Sequence, residues 1–93
     1  MEPISLILSA LVAGAAKTAD GVAQDVYKGL KALIKQKFEN QGKSDSVMIL
    51  DKYEEKPEKT KPLLEDELTE VGADKDKEII ELAERLLRKI FVF

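Results

Sequence analysis

The feature that most constrains this chain is a run of fourteen residues without a charged side chain, between Glu2 and Lys17, in the segment MEPISLILSALVAGAAK. Over the whole chain, by contrast, 35% of the residues are charged. Pro3 suits the first turn of a helix and Gly14 weakens a helix near its end, so we expect a helix from Pro3 to about Ala16. Apolar side chains surround that helix on all sides, which indicates that something must cover it.

Four roles are open to an apolar segment of this kind, and the residues argue against two of them. A signal peptide has a basic region before its apolar stretch, whereas this chain has Glu2. A permanent transmembrane helix needs about 20 apolar residues to cross about 30 Å, and a helix of this length spans only about 21 Å. The other two roles are a core helix covered by its neighbours and a segment that is sheltered at rest and then inserted into a bilayer. The sequence does not separate them.

The rest of the chain predicts an all-α fold, in which residues 1–93 form one compact bundle of four or five helices with the hydrophobic helix at the N-terminus. The composition favours helices because the chain is rich in Leu, Ile, Ala, Glu and Lys and only 5% aromatic. Connections of two to six residues between the helical segments indicate antiparallel neighbours.

The second segment, DGVAQDVYKGLKALIKQKF, has the apolar spacing of an amphipathic helix, with Asp20 as a candidate N-cap. Its expected buried stripe comprises Val22, Val26, Leu30, Leu33 and Phe38. Gly42 then predicts the helix end, with Asp45 or Ser46 as the next cap. In the third segment, SVMILDKYEEK, which Pro57 ends, the inward residues are expected to be Val47, Leu50 and either Met48 or Tyr53.

The fourth helix lies in EKTKPLLEDELTEVG, where Gly72 follows the expected end and the shared face consists of Leu64, Leu68 and Val71. Pro62 leaves two possibilities, a helix that has this proline in its first turn or a longer helix from Glu58 that the proline kinks. The fifth helix is expected to begin at Asp74, with its acids first and its cations last, as the helix dipole favours. Its apolar face comprises Ile79, Leu82, Ala83, Leu86 and Ile90.

The composition excludes most kinds of active site. The chain has no Cys and no His, which removes disulfides, thiol nucleophiles, imidazole bases and the usual zinc ligands. The neighbouring carboxylates of the fourth helix point in different directions and predict a solvated face rather than a metal site; they are Glu65, Asp66, Glu67 and Glu70. We therefore expect no enzymatic activity, no catalytic residues, no cofactor and no metal.

Glycines and tyrosines of the first half suggest packing rather than chemistry. Gly14, Gly21 and Gly29 match no phosphate-binding loop and are expected to allow close helix packing or flexibility. Tyr27 and Tyr53 are expected at the edge of the core with their hydroxyl groups in water.

Charge is divided unevenly along the chain, whose net charge is −3. Residues 1–43 carry six lysines and four acids, whereas residues 44–93 carry nine basic and fourteen acidic groups. An acidic chain binds nucleic acid poorly, so no nucleic-acid partner is expected. The basic part adjoins the apolar segment, and an anionic membrane attracts that combination. The candidate contacts with lipid head groups are Lys17, Lys28, Lys31 and Lys35.

Three stretches, MEPISLILSALVAGAAK, DVYKGLKALIKQKF and EVGADKDKEIIELAERLL, resemble the small N-terminal helical domains of the bacterial family called Bell. That family is similar to the fungal HeLo and HELL cell-death domains and to the four-helix executioner domain of the mixed lineage kinase domain-like protein. The resemblance implies a bundle whose apolar N-terminal helix attacks membranes once an amyloid template gathers copies together. The inserting segment would include Pro3, Ile4, Leu6, Ile7, Leu8, Leu11 and Val12.

The function implied is a membrane-disrupting or pore-forming cell-death effector of a bacterial immune system. It would be cytoplasmic when inactive and at the inner face of the cell membrane when active. Its partners would be anionic lipids, further copies of itself and a signalling protein that bears an amyloid motif. The sequence given ends IFVF without an Asn/Gln/Gly-rich amyloid segment, so the trigger lies elsewhere or the natural chain continues. The alternative is a non-lytic, death-fold-like adaptor that recruits a signalling partner.

Overall fold

The periodic apolar spacing of the chain produces helices throughout the computed structural model, which describes residues 2–16 and 21–91. Within those ranges there are five α-helices, one short 3-10 helix and no strand, so the all-α bundle is confirmed. The α-helices are α1 (Pro3–Ala16), α2 (Gly21–Asn40), α3 (Ser46–Glu55), α4 (Pro57–Glu70) and α5 (Lys77–Ile90), and the 3-10 helix is Ala73–Lys75.

Glycine and proline set several helix ends where the sequence predicted them. Gly42 and Gly72 follow α2 and α4 with φ angles of 73° and 76°, in the left-handed region that favours glycine. Pro57 is the first residue of α4, directly after the connecting residue Lys56. Pro62 lies inside α4, so the longer of the two possible helices is the one that forms.

The start of α5 differs from the prediction. Asp74 lies in the 3-10 helix, and α5 begins after Asp76, whose carboxylate accepts hydrogen bonds from the backbone N–H groups of Glu78 at 3.1 Å and Ile79 at 3.3 Å. Because the carboxylate of Asp76 can accept hydrogen bonds from these otherwise unpaired N–H groups, it determines where the first turn of α5 begins. Asp45 stands in the expected cap position before α3, but its side chain makes no capping hydrogen bond.

Asp76 also connects α5 to α2, because the ammonium group of Lys37 lies 3.2 Å from its carboxylate. Burial raises the pKa of Asp76, but the hydrogen bonds from Ile79 and Glu78 and the charge of Lys37 outweigh burial and hold this pKa below its usual value.

The helix α1 lies at the centre of the bundle and contacts each of the other helices. Its buried residues are Ile7, Leu8, Ala10, Leu11 and Gly14. The surrounding helices complete one continuous core, whose largest fully buried side chains outside α1 are Leu30, Ile34, Phe38, Leu50, Leu64, Leu68, Ile79 and Leu86. The apolar first segment is thus the core helix of the folded domain.

Burial corrects the predicted core in α2. Val22 was expected inside but is 55% exposed, whereas Ala23 and Ile34 are buried. Val22 lies beside the last turns of α5, which present cations there instead of apolar side chains. Val26 and Leu33 are only partly buried, against the edge of the core.

In α3 the open choice is settled, because Tyr53 is buried and Met48 is 62% exposed. Val47, the other residue expected to face inward beside Leu50, packs partly buried against the core. The predicted apolar face of α4 is buried in full.

Candidate functional site

The predicted membrane-inserting residues are divided between the core and the surface. Ile7, Leu8 and Leu11 are at most 2% exposed. Ile4 and Leu6 pack partly buried against the same core. Pro3 and Val12 are exposed. Most of the apolar surface that a bilayer would receive is therefore covered by protein in this structure.

Apolar packing holds α1 in place, because residues 3–16 carry no charge and cannot form a side-chain ion pair. Among the described residues, one side-chain hydrogen bond supplements the packing: the hydroxyl of Tyr53 in α3 donates to the backbone carbonyl of Leu8 at 3.2 Å. The expectation of a solvated hydroxyl was wrong for this residue. Burial raises the pKa of Tyr53 above its usual value.

A close contact joins the second half of α1 to α2 and α5. The ring of Tyr27 lies directly against Gly14, with the side chain of Leu86 beside it. A Cβ atom at position 14 would lie 2.9 Å from Cγ of Tyr27 and 3.0 Å from Cδ2 of Leu86, which real Cβ contacts do not allow without movement. The predicted role of Gly14 in close helix packing is confirmed.

The hydroxyl of Tyr27 is fixed by an acidic side chain of α3. It donates a hydrogen bond to Glu54, and Nζ of Lys31 lies 2.6 Å from the same carboxylate and 3.1 Å from Asp51. We call Tyr27, Lys31, Asp51 and Glu54 the Tyr27 cluster. Burial and the carboxylate of Glu54 raise the pKa of Tyr27 far above its usual value. The cluster thus holds the ring that covers Gly14.

Two of the four predicted head-group lysines are engaged with acids of α3. Burial lowers the pKa of Lys31, but the hydrogen bonds and charges of Glu54 and Asp51 outweigh it and leave this pKa raised. Nζ of Lys35 lies 4.0 Å from Asp51. Lys28 is exposed on α2, and Lys17 lies outside the described residues. Lipid contact by these four lysines stays a prediction.

One side of α1 is open to solvent. Ser5, Ser9 and Val12 face a groove of about 820 Å³. The opposite walls of this groove, which we call the α1 groove, include Tyr53, Pro57, Lys61, Leu87 and Phe91. The sequence itself indicates this exposed side of α1, because Ser5 and Ser9, one helical turn apart, interrupt the apolar segment on that face.

Residues 2–16 and 21–91 contain neither a candidate metal site nor a helix suited to span a membrane. Their acidic side chains form no group that could hold a metal ion. None of their helices combines the length and the apolarity that crossing a bilayer requires.

The chain is similar to a known protein family. The family model described as the Het-E N-terminal domain matches residues 1–91, almost the whole chain. The searches of curated proteins and of solved structures found no match.

Proposed function

Because the chain belongs to the Het-E N-terminal domain family, which is HeLo-related and associated with fungal cell death, we propose that it is a cell-death effector domain that disrupts membranes through α1. In this proposal it acts as Bell domains and the executioner domain of the mixed lineage kinase domain-like protein do. A partner bearing an amyloid motif gathers copies in the cytoplasm, and the assembled domains act on the inner face of the cell membrane.

One observation carries the proposal: the most apolar helix is held differently from the helices around it. Ion pairs connect the outer helices, as in the contacts of Lys31 with Glu54 and of Lys37 with Asp76. Lys43, between α2 and α3, likewise pairs with Glu67 and Glu70 of α4. By contrast, α1 is held by packing and by the hydrogen bond from Tyr53 to Leu8. It can therefore leave the bundle without separating an ion pair.

The helix α1 is too short to span an undisturbed bilayer by itself. Fourteen helical residues span about 21 Å, which is short of a hydrocarbon core of about 30 Å. Local thinning of the bilayer and association of several copies can make up such a mismatch. This length favours a disrupted or thinned membrane made by an assembly over a single spanning helix.

The lysines of α2 complete the proposal at the lipid surface. Lys28, already exposed, can reach a phosphate group directly. Lys31 and Lys35 would exchange the carboxylates of α3 for lipid phosphates as the bundle opens. Lys17 would join them beside the inserted helix.

Val12→Asp tests the proposal, because Val12 is 38% exposed and its replacement leaves the core intact. An Asp near the centre of an inserted helix costs about 2.5 to 3.5 kcal/mol, which corresponds to roughly a hundredfold weaker insertion. Val12→Asn is the matched control, since it has nearly the same shape and helix propensity without the charge. Each variant is fused to a tetrameric coiled coil, and dye release from phosphatidylserine-containing vesicles is measured.

We expect the parent to release dye, Val12→Asn to retain most of this activity, and Val12→Asp to lose it while keeping the circular dichroism spectrum and melting temperature of the parent. Equal leakage by folded Val12→Asp and Val12→Asn would contradict insertion of α1. Intact vesicles with the oligomerised parent would favour the adaptor. The adaptor is the second candidate because the α1 groove offers a partner an open apolar surface.

A further inference from the structure

The last turns of α5 present three cations on one face. Arg85, Arg88 and Lys89 follow the spacing that places side chains side by side on a helix, and all three are exposed. Arg88 pairs with Glu84 of its own helix at 3.1 Å, where 72% of the arginine side chain is exposed. In the described part of the chain, Arg85 and Lys89 form no ion pair. These cations therefore remain largely available to a partner outside the domain.

Apolar side chains lie directly beside these cations. Val22 and Val26 of α2 join the three basic residues around a depression of about 530 Å³, which we call the α2–α5 patch. On the other side of the same turns of α5, Val12 and Phe91 line the α1 groove and are 38% and 47% exposed. Exposed apolar and basic side chains thus share one end of the bundle, as in surfaces that bind at a membrane interface.

The charges on the rest of the domain make this end the most favourable one for contact with an anionic surface. The chain from Asp45 to Glu70 carries nine acidic and four basic residues, so an anionic surface repels α3 and α4. The lysine of α2 nearest to α3 is already engaged, since Lys31 contacts both Asp51 and Glu54. Because the domain has a net charge of −3, electrostatic attraction to an anionic bilayer needs a local basic face. The uneven charge distribution therefore turns the basic end of the domain toward the bilayer.

We infer that the α2–α5 patch is the surface through which the resting domain docks on an anionic phospholipid bilayer, before α1 is released. Its relevance in the cell rests on the membrane role proposed above, but the docking itself is a separate property of the folded domain. Docking in this orientation brings the exposed side chain of Val12 in α1 close to the lipid, because Val12 and Phe91 line the α1 groove at the same end of the bundle.

A fluorescent reporter tests the position of the patch, and the absence of Trp from the chain makes a single reporter unambiguous. Val22→Trp places the indole in the patch, and Met48→Trp places it on α3 at a similarly exposed position. The probe is vesicles of phosphatidylserine and phosphatidylcholine, with phosphatidylcholine alone as reference. We expect a blue shift of emission for Val22→Trp on the anionic vesicles only, and none for Met48→Trp. Equal shifts at both positions, or a shift at Met48→Trp alone, would overturn the assignment.

Charge neutralisation supplies the second measurement. One triple variant carries Arg85→Gln, Arg88→Gln and Lys89→Gln, and its matched control carries Lys52→Gln, Lys56→Gln and Lys59→Gln, three exposed lysines of the acidic side. Both lose three positive charges. Since each basic group near an anionic surface favours binding, we expect the patch variant to sediment with vesicles roughly ten- to a hundredfold more weakly than the control. Equal weakening, or none in the patch variant, would refute docking through this face.

The test of the docking surface and the test of the effector proposal can fail independently of each other. If the patch variant fails to bind while the oligomerised parent leaves vesicles intact, docking is supported and the effector proposal fails. If the parent releases dye but the patch variant binds as the control does, the effector proposal stands and the docking surface is wrong.

Discussion

Gly14→Ala is the substitution that most directly tests how α1 is held. The position is buried in the last part of α1, and the added methyl group would meet the ring of Tyr27 and the side chain of Leu86. Neither neighbour can move away freely. The hydroxyl of Tyr27 is bonded to Glu54, and Leu86 is fully buried.

Two opposing free energies decide the outcome. Alanine is favoured over glycine inside a helix by about 0.5 to 1 kcal/mol. Forcing an extra carbon into a packed core costs about 1 to 3 kcal/mol. We therefore expect Gly14→Ala to lower the free energy of unfolding by up to about 2 kcal/mol. For a domain of this size, each kcal/mol corresponds to a melting temperature change of about 4 to 8 °C.

Gly29→Ala is the matched control, because Gly29 is also inside a helix but has room. A Cβ there would lie 3.8 Å from Cδ1 of Leu82, an ordinary contact. This variant should gain the full helix preference and be more stable than the parent by about 0.5 to 1 kcal/mol. Urea denaturation of the three proteins measures the order. If Gly14→Ala proved as stable as Gly29→Ala, the close packing of α1 against Tyr27 would be refuted.

Three further variants test separate contacts by the same urea denaturation. Tyr27→Phe removes the donor to Glu54 and should cost about 1 kcal/mol; an unchanged midpoint would contradict this bond. Asp76→Asn keeps the cap but removes the charge that faces Lys37. The pKa of Asp76 is lower in the folded state than in the unfolded state, so its charge stabilises the fold fully above about pH 4, and this stabilisation is lost as the pH falls through the folded-state pKa. The difference in unfolding free energy between the parent and Asp76→Asn should therefore disappear over that acidic range. A difference that does not change with pH would contradict the prediction. Met48→Ser should change stability by less than about 0.5 kcal/mol, because Met48 is exposed, and a larger loss would place it in the core.

Periodicity and turn residues predicted the α-helices of the described residues, apart from the start of α5. Of the predicted apolar face of α5, Ile79, Ala83 and Leu86 are buried. Leu82 and Ile90 pack partly buried against the core. Gly72 marked the end of α4 for a local reason, its access to positive φ. Predictions of this kind depend on residues within one or two helical turns, and the sequence supplies them directly.

Val22 shows where periodicity stops being informative. Its position on the apolar stripe of α2 is correct, but burial also requires an apolar neighbour, and α5 presents cations at that point. The Tyr27 cluster was missed for the same reason. Tyr27 and Glu54 are 27 residues apart in the chain, and no local pattern indicates that they meet. The sequence therefore predicted which segment forms the candidate site, but the contacts that hold this segment in place could be identified only from the three-dimensional structure.

The cost of removing α1 from the bundle decides where its release can occur. Ile7, Leu8 and Leu11 are almost fully buried, and exposing such side chains to water costs about 1.5 to 3 kcal/mol each. The three together cost roughly 5 to 9 kcal/mol, similar to the whole stability of a small domain, about 5 to 15 kcal/mol. In water, release of α1 should therefore amount to global unfolding, whereas acyl chains can replace the lost core. We expect the backbone amides of residues 8–14 to exchange hydrogen as slowly as those of residues 30–38 in α2, and oligomerisation on anionic vesicles to change exchange in α1 first. Fast exchange confined to α1 in the resting domain would mean that the helix is not sheltered, and release would then need no membrane.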